Sequence, residues 1–276
     1  MRDPLTLDQP MRDLIDAAWA NYRAFEQAPF VVTPSLPILF FGDLAAYRQS
    51  ERKIVTAALN PSRIEFPAGD RFQRFPVAKA RHDDMKRGQH HDIYVEALSN
   101  YFRSDPYRRW FNCFEPFLNG MRASYYGSHP NVALQTDICS PLATDPTWKG
   151  LDPIQRRDLM ADGVDVWHRL IELLAPDMLV VSLAWEHVAK IRFERTSEWR
   201  VIASVAWRTD GARLAQPHTM LHQQIVVGDR EIPLLFTRAA HKPMGFMSDR
   251  TKEHMGVSVV SILDGEKRLA ELTELP

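Results

Sequence analysis

Three polar residues stand where aliphatic runs break off: Asn60 after IVTAAL, Asp137 within VALQTDICSPL, and His241 after IPLLFTRAA. An amide there can hold a water or the edge of a substrate, and a carboxyl and an imidazole beside it would add acceptors and donors. Together they suit a crevice for polar chemistry. Each also has a purely structural reading: Asn60-Pro61 as a turn, Asp137 as a helix cap, and His241 as a loop histidine bonded to backbone.

The elements that must position them follow from periodicity. Ile54 to Leu59, Val132 to Ile138, Met178 to Leu183 and Ile232 to Ala239 are short apolar runs suited to strands buried on both faces. Between the second and third, DPIQRRDLMADGVDVWHRLIELLAPD places Val164, Trp167, Leu170, Ile171 and Leu174 on one helical face, and Pro176 ends it. Further helices are expected at DIYVEALSNYF and GEKRLAELT. The alternation predicts an α/β fold, a three-layer αβα sandwich around a central, mainly parallel four-stranded sheet. Tryptophans recur from Trp19 to Trp207 without a repeat or low-complexity linker, so one domain is expected over 1–276.

Composition narrows the classes. The chain has 276 residues, 45% of them hydrophobic, enough for one large core. No apolar run is long enough to span a bilayer, and the charged start MRDPLTLDQPMRDL does not resemble a signal peptide, so an intracellular, cytoplasmic monomer is expected. Cys113 and Cys139 are too few for a cysteine-rich metal site. His218 and His222 would share a helical face but lack an acidic third ligand, and no metal is assigned. With 12 glycines and no G-x-G-x-x-G or Walker pattern, a nucleotide cofactor is not expected. Ser62 lacks the Gly-x-Ser-x-Gly elbow of serine hydrolases. The net charge of −1 gives no global attraction to nucleic acid.

The strand-end motifs resemble those of the uracil-DNA glycosylase superfamily, most closely its single-strand-selective monofunctional branch. The first motif of that branch, Gly-x-Asn-Pro-Gly, is matched by Ala58-Leu59-Asn60-Pro61-Ser62, with Asn-Pro kept and both glycines replaced. The second, Asn-Leu-Cys-Pro-Leu, resembles Asp137-Ile138-Cys139-Ser140-Pro141-Leu142, with one residue inserted and Asp in place of the base-reading Asn. The third, His-Pro-Ser-Pro, keeps only its histidine in His241-Lys242-Pro243-Met244-Gly245. The likeness runs from about Ile54 onward; residues 1–35 and a basic stretch at about 69–91 stand outside it.

The resemblance implies a monofunctional DNA glycosylase with no cofactor. In it Asn60 positions the attacking water and His241 hydrogen-bonds the carbonyl of the departing pyrimidine. An ionised Asp137 would accept from the amine of cytosine and repel a uracil carbonyl, which favours a 5-substituted cytosine, such as hydroxymethylated or glucosylated cytosine of phage DNA. A protonated Asp137 would mimic Asn and keep uracil, and hence repair, as the alternative. Phe66, Phe72 or Phe75 would stack on the flipped base. Arg71 and Arg74, among Lys79, Arg81, Lys86 and Arg87, suit backbone contacts. Lys242 and Arg250 would meet phosphates, with Met244 and Phe246 as a wedge in the vacated stack or, alternatively, as core residues. The replaced glycines also leave open a silent DNA-binding protein on the same scaffold, and the crevice itself an unrelated small-molecule hydrolase.

Overall fold

A computed structural model describes residues 7–207, 212–239 and 242–273. It is a mixed α/β fold around a seven-stranded sheet, where the sequence pattern predicts four strands. The strands are β1 (Ile54–Ala58), β2 (Ala123–Ser124), β3 (Asn131–Asp137), β4 (Met178–Leu183), β5 (Arg200–Trp207), β6 (Arg213–Val227) and β7 (Arg230–Arg238), in the order β2-β3-β1-β4-β7-β6-β5. The four expected strands are contiguous in that order and all parallel. β2 extends the parallel set at one edge, whereas β6 and β5 are antiparallel additions at the other.

The parallel core forms because its strands are rich in aliphatic residues, with buried Thr56, Gln135 and Thr136 hydrogen-bonded inside it. Every residue of β1, β3 and β4 is buried, as expected for strands covered on both faces. The helix Pro153–Leu174 covers one face. Its start is fixed by an Asp152–Gln155 capping box with Pro153 at the first position, and its end by Ala175 in the left-handed region at φ 45°. Trp167 on this helix donates from Nε1 to Thr136 Oγ1 of β3 at 3.0 Å. The buried stripe turns on Gly163 rather than Val164, because a Cβ at Gly163 would lie 2.2 Å from Cys139 O. Backbone thus packs on the end of β3 without an intervening side chain. On the opposite face Thr56 and Gln135 meet Tyr125, which stacks on Phe102 at 4.9 Å.

The helix Gln9–Phe25 is part of the core, with Leu14, Trp19 and Tyr22 buried. At the far edge, β6 joins β7 only from Leu221 onward, so Arg213–Met220 pairs with β5 alone. Since β6 runs antiparallel to β7, this ribbon projects past the carboxyl edge of the parallel strands. Chain direction reverses between β1, which leads to β3 on one side, and β4, which leads to β7 on the other. Such reversals open a crevice at the carboxyl ends, where Asn60 follows β1.

Candidate functional site

The loops after β1 and β3 are stitched together. The ladder continues past the strands, with Ile138 N donating to Ala58 O at 2.9 Å and Cys139 N to Leu59 O at 2.8 Å. Thr144 N then donates to Pro61 O at 3.2 Å, and Arg63 N to Thr144 O at 3.1 Å. Asn60 lies inside this seam. Its Nδ2 faces three acceptors, Pro61 O at 2.8 Å, Thr144 Oγ1 at 2.9 Å and Leu142 O at 3.3 Å. Two of these are carbonyls, which only accept, so the amide orientation is fixed and Oδ1 is the atom left to receive a hydrogen bond.

Asp137 closes β3 with 7% of its surface exposed, and no donor or acceptor among the described residues reaches its carboxyl. Burial pushes this group well above the usual carboxylate range, and the nearby Glu65 carboxylate pushes it the same way. The acid form of Asp137 is therefore favoured relative to an ordinary carboxyl. It offers one O–H donor and one carbonyl acceptor.

Glu65 is a site residue that sequence reasoning missed. It ends the 3-10 turn Arg63–Glu65, which Ser62 caps through its hydroxyl, and it is 4% exposed. Tyr101 donates its phenol to Glu65 Oε2 at 2.5 Å, and Tyr101 in turn receives Tyr107 N at 2.9 Å. Burial pushes Glu65 up to about 7, against the lowering effects of the Tyr101 hydrogen bond and the Arg74 guanidinium. Its one sequence signal was a lone acid among Ile64, Phe66 and Pro67, three apolar neighbours.

Several expected contacts are corrected. Phe66 and Phe75 stack on each other at 5.3 Å, Phe72 meets Phe66 edge-on at 6.4 Å, and all three are buried, so none presents a free face to a base. The rings take burial over display because the insertion folds back onto the core. Arg71 donates to Phe66 O at 2.7 Å, and Arg74 donates to Ile64 O at 3.0 Å and pairs with Asp105 at 3.4 Å. Those guanidiniums clamp the loop rather than face outward. Lys79 pairs with Asp70, Arg81 and Arg87 share Asp84, and Lys86 pairs with Glu26, so these cations are engaged in ion pairs although the stretch stays basic. Met244 is buried, with its N–H on Ser182 Oγ at 3.0 Å, and is not a wedge.

In the same loop Phe246 is 64% exposed, and Lys242 and Arg250 are exposed with no ion-pair partner among the described residues. His241 lies outside the described residues. His218 and His222 fall on β6 rather than a helix, about 13 Å apart at strand rise, too far to share an ion. No cluster of metal-ligating side chains occurs among the described residues. Cys139 is buried, which pushes its thiol up to about 12 and leaves it a poor nucleophile. No helix of the described residues is long and apolar enough to cross a membrane.

A cavity of about 250 Å³ opens between the loops after β3 and β4, among Trp148, Arg156, Met160, Glu186, His187 and Lys190. Its lining includes neither Asn60 nor Asp137. No family model, curated protein or solved structure matches the chain.

Proposed function

We propose that this protein is a monofunctional DNA glycosylase that removes an altered pyrimidine. The observation that carries this reading is Asp137: a carboxyl buried without a partner at the carboxyl end of a parallel strand, beside an asparagine whose amide is held in one orientation. Burial of the strands on both faces fits the αβα sandwich that the resemblance implies.

A neutral Asp137 changes the reasoning on the base. The acid matches uracil by donating to O4 and accepting from N3–H, and it matches cytosine by accepting from the N4 amine and donating to N3. Charge repulsion therefore does not exclude uracil. Chemistry favours cytosine. As the C1′–N1 bond breaks, its electron pair passes into the ring, and cytosine leaves as a neutral base once a ring site gains a proton, N3 being the site that an acid paired with the N4 amine would face. Asp137 can supply that proton as a general acid, which an asparagine could not.

Asn60 Oδ1 accepts from the water that adds to C1′, and the water's released proton returns the charge balance through solvent or the Asp137 carboxylate. His241 donates to the base carbonyl where charge builds. Lys242, Arg250 and Phe246 are the exposed groups for phosphate and stack contacts. A 5-substituted cytosine, which would separate foreign from ordinary DNA in antiviral defence, is the favoured substrate, with uracil and repair as the alternative.

An abasic-site assay tests this, using oligonucleotides with uracil, cytosine, hydroxymethylcytosine or its glucosylated form, followed by alkaline cleavage. Strand cleavage at a modified base that Asn60→Ala loses by about 100-fold is the expected result. Retained DNA binding with no abasic site on any substrate would mean a silent scaffold.

A further inference from the structure

We propose that the cavity between the loops after β3 and β4 is a second binding site, for a phosphomonoester carried on a small organic body such as a nucleotide. Neither Asn60 nor Asp137 lines it, and the proposal does not depend on the glycosylase reading.

Three segments enclose the space of about 250 Å³. The 3-10 turn Trp148–Gly150 supplies Trp148, which is 6% exposed. The helix Pro153–Leu174 supplies Pro153, Arg156 and Met160, which recur at three- and four-residue spacing and so share one face of its first turns. The short helix Trp185–Val188 and the residues just beyond it supply Glu186, His187 and Lys190. The indole, the proline ring and the thioether give the cavity apolar walls, among which the charged groups are set.

The balance of charge selects the ligand. Arg156 and Lys190 have no ion-pair partner among the described residues, and the guanidinium makes only a long bond from Nε to Asp152 O, at 3.5 Å. The one carboxylate, Glu186, has a side chain 74% exposed and lies 3.5 Å from His187 Nε2. Burial pushes His187 below its usual range, and the Lys190 and Arg156 charges push it the same way, so the imidazole adds no charge at neutral pH. Two cations thus stand against one solvated carboxylate. A phosphomonoester carries about −1.5 to −2 charge at pH 7 and has three oxygens to share between a guanidinium and an ammonium. Trp148 Nε1 and His187 Nδ1 are also buried with no hydrogen-bond partner among the described residues. An indole N–H only donates, so the partner it lacks is an acceptor. Bare phosphate would leave the apolar walls unfilled, and an organic body fills them.

Isothermal titration calorimetry of the full chain tests this with deoxycytidine monophosphate, deoxycytidine, inorganic phosphate, and one oligonucleotide prepared with and without a 5′-phosphate. The monophosphate should bind at least about 10-fold more tightly than deoxycytidine or inorganic phosphate, and Arg156→Gln and Lys190→Gln should each weaken it by about 10-fold. Glu186→Gln should tighten it by about 2-fold, a gain that a misfolded variant cannot give. A 5′-phosphate that tightens oligonucleotide binding beyond that of the free nucleotide assigns the site to a DNA end, and one that does not assigns it to the free nucleotide; either supports the site.

Equal affinity for deoxycytidine and its monophosphate would overturn the proposal, as would Arg156→Gln and Lys190→Gln proteins that bind as the wild type does. Inorganic phosphate binding as tightly as the nucleotide would overturn it too, by leaving the apolar walls without a role. Loss of the monophosphate in Asn60→Ala, with Arg156→Gln unaffected, would place the nucleotide in the crevice of Asn60 and remove the second site.

Discussion

Asn60 is legible in the sequence because Asn-Pro at the end of an apolar run is a local signal. Asp137 is legible too, but its protonation is not. That depends on burial at the end of β3 and on Glu65, which reaches it through the fold and not through sequence proximity. Glu65 also links folding to pH. Its folded value, about 7, lies above the ordinary 4.5. The stability it contributes is thus fully present below about pH 4.5 and is lost as pH rises through about 7, a loss on the order of 3 kcal/mol. Urea denaturation at a series of pH values should show this decline in the wild type, and Glu65→Gln should flatten it. An unchanged slope in Glu65→Gln would place the titration elsewhere.

At the scale of elements, the contact between Gly163 and the end of β3 positions the site. Gly163→Ala puts a Cβ 2.2 Å from Cys139 O, and backbone must move to make room. The expected cost is about 1–3 kcal/mol in chemical denaturation. Any wild-type excision rate should fall with it, because the displaced loop carries Leu142 and Thr144, which orient Asn60. Full stability in Gly163→Ala would show that the helix yields instead. The four parallel strands were legible because each is a short run dominated by aliphatic residues. β5 and β6 were not, since Arg213–Thr219 is mostly exposed, contains Pro217 and pairs on one side only. One signal was available: Gly228-Asp229 between IVV and REIPLL, with Gly228 at φ 63°, joins β6 to β7 as a two-residue hairpin turn. The aromatic and basic insertion misled for a related reason. Spacing shows that cations and rings alternate, not that Asp70, Asp84, Asp105 and Glu26 hold Arg74, Lys79, Arg81, Lys86 and Arg87 in ion pairs.

For the whole molecule, a net charge of −1 gives no global attraction to nucleic acid, and the proposed function assigns the phosphate contacts to Lys242 and Arg250 in the loop after β7. Binding to a short oligonucleotide should weaken with salt. Lys242→Ala and Arg250→Ala should each reduce the slope of log affinity against log salt by about 1, whereas Arg71→Ala should lower stability and leave the slope unchanged. An unchanged slope for Lys242→Ala and Arg250→Ala would remove the loop after β7 from the DNA surface. The central claim is that Asp137 is a proton-donating reader of a pyrimidine edge. It is tested most directly by comparing wild type and Asp137→Asn on paired oligonucleotides containing a 5-substituted cytosine or uracil. The wild type should excise the modified cytosine, and Asp137→Asn should lose that activity while accepting uracil, since the amide keeps a donor and an acceptor but has no proton to give. Equal excision of modified cytosine by both proteins would contradict it.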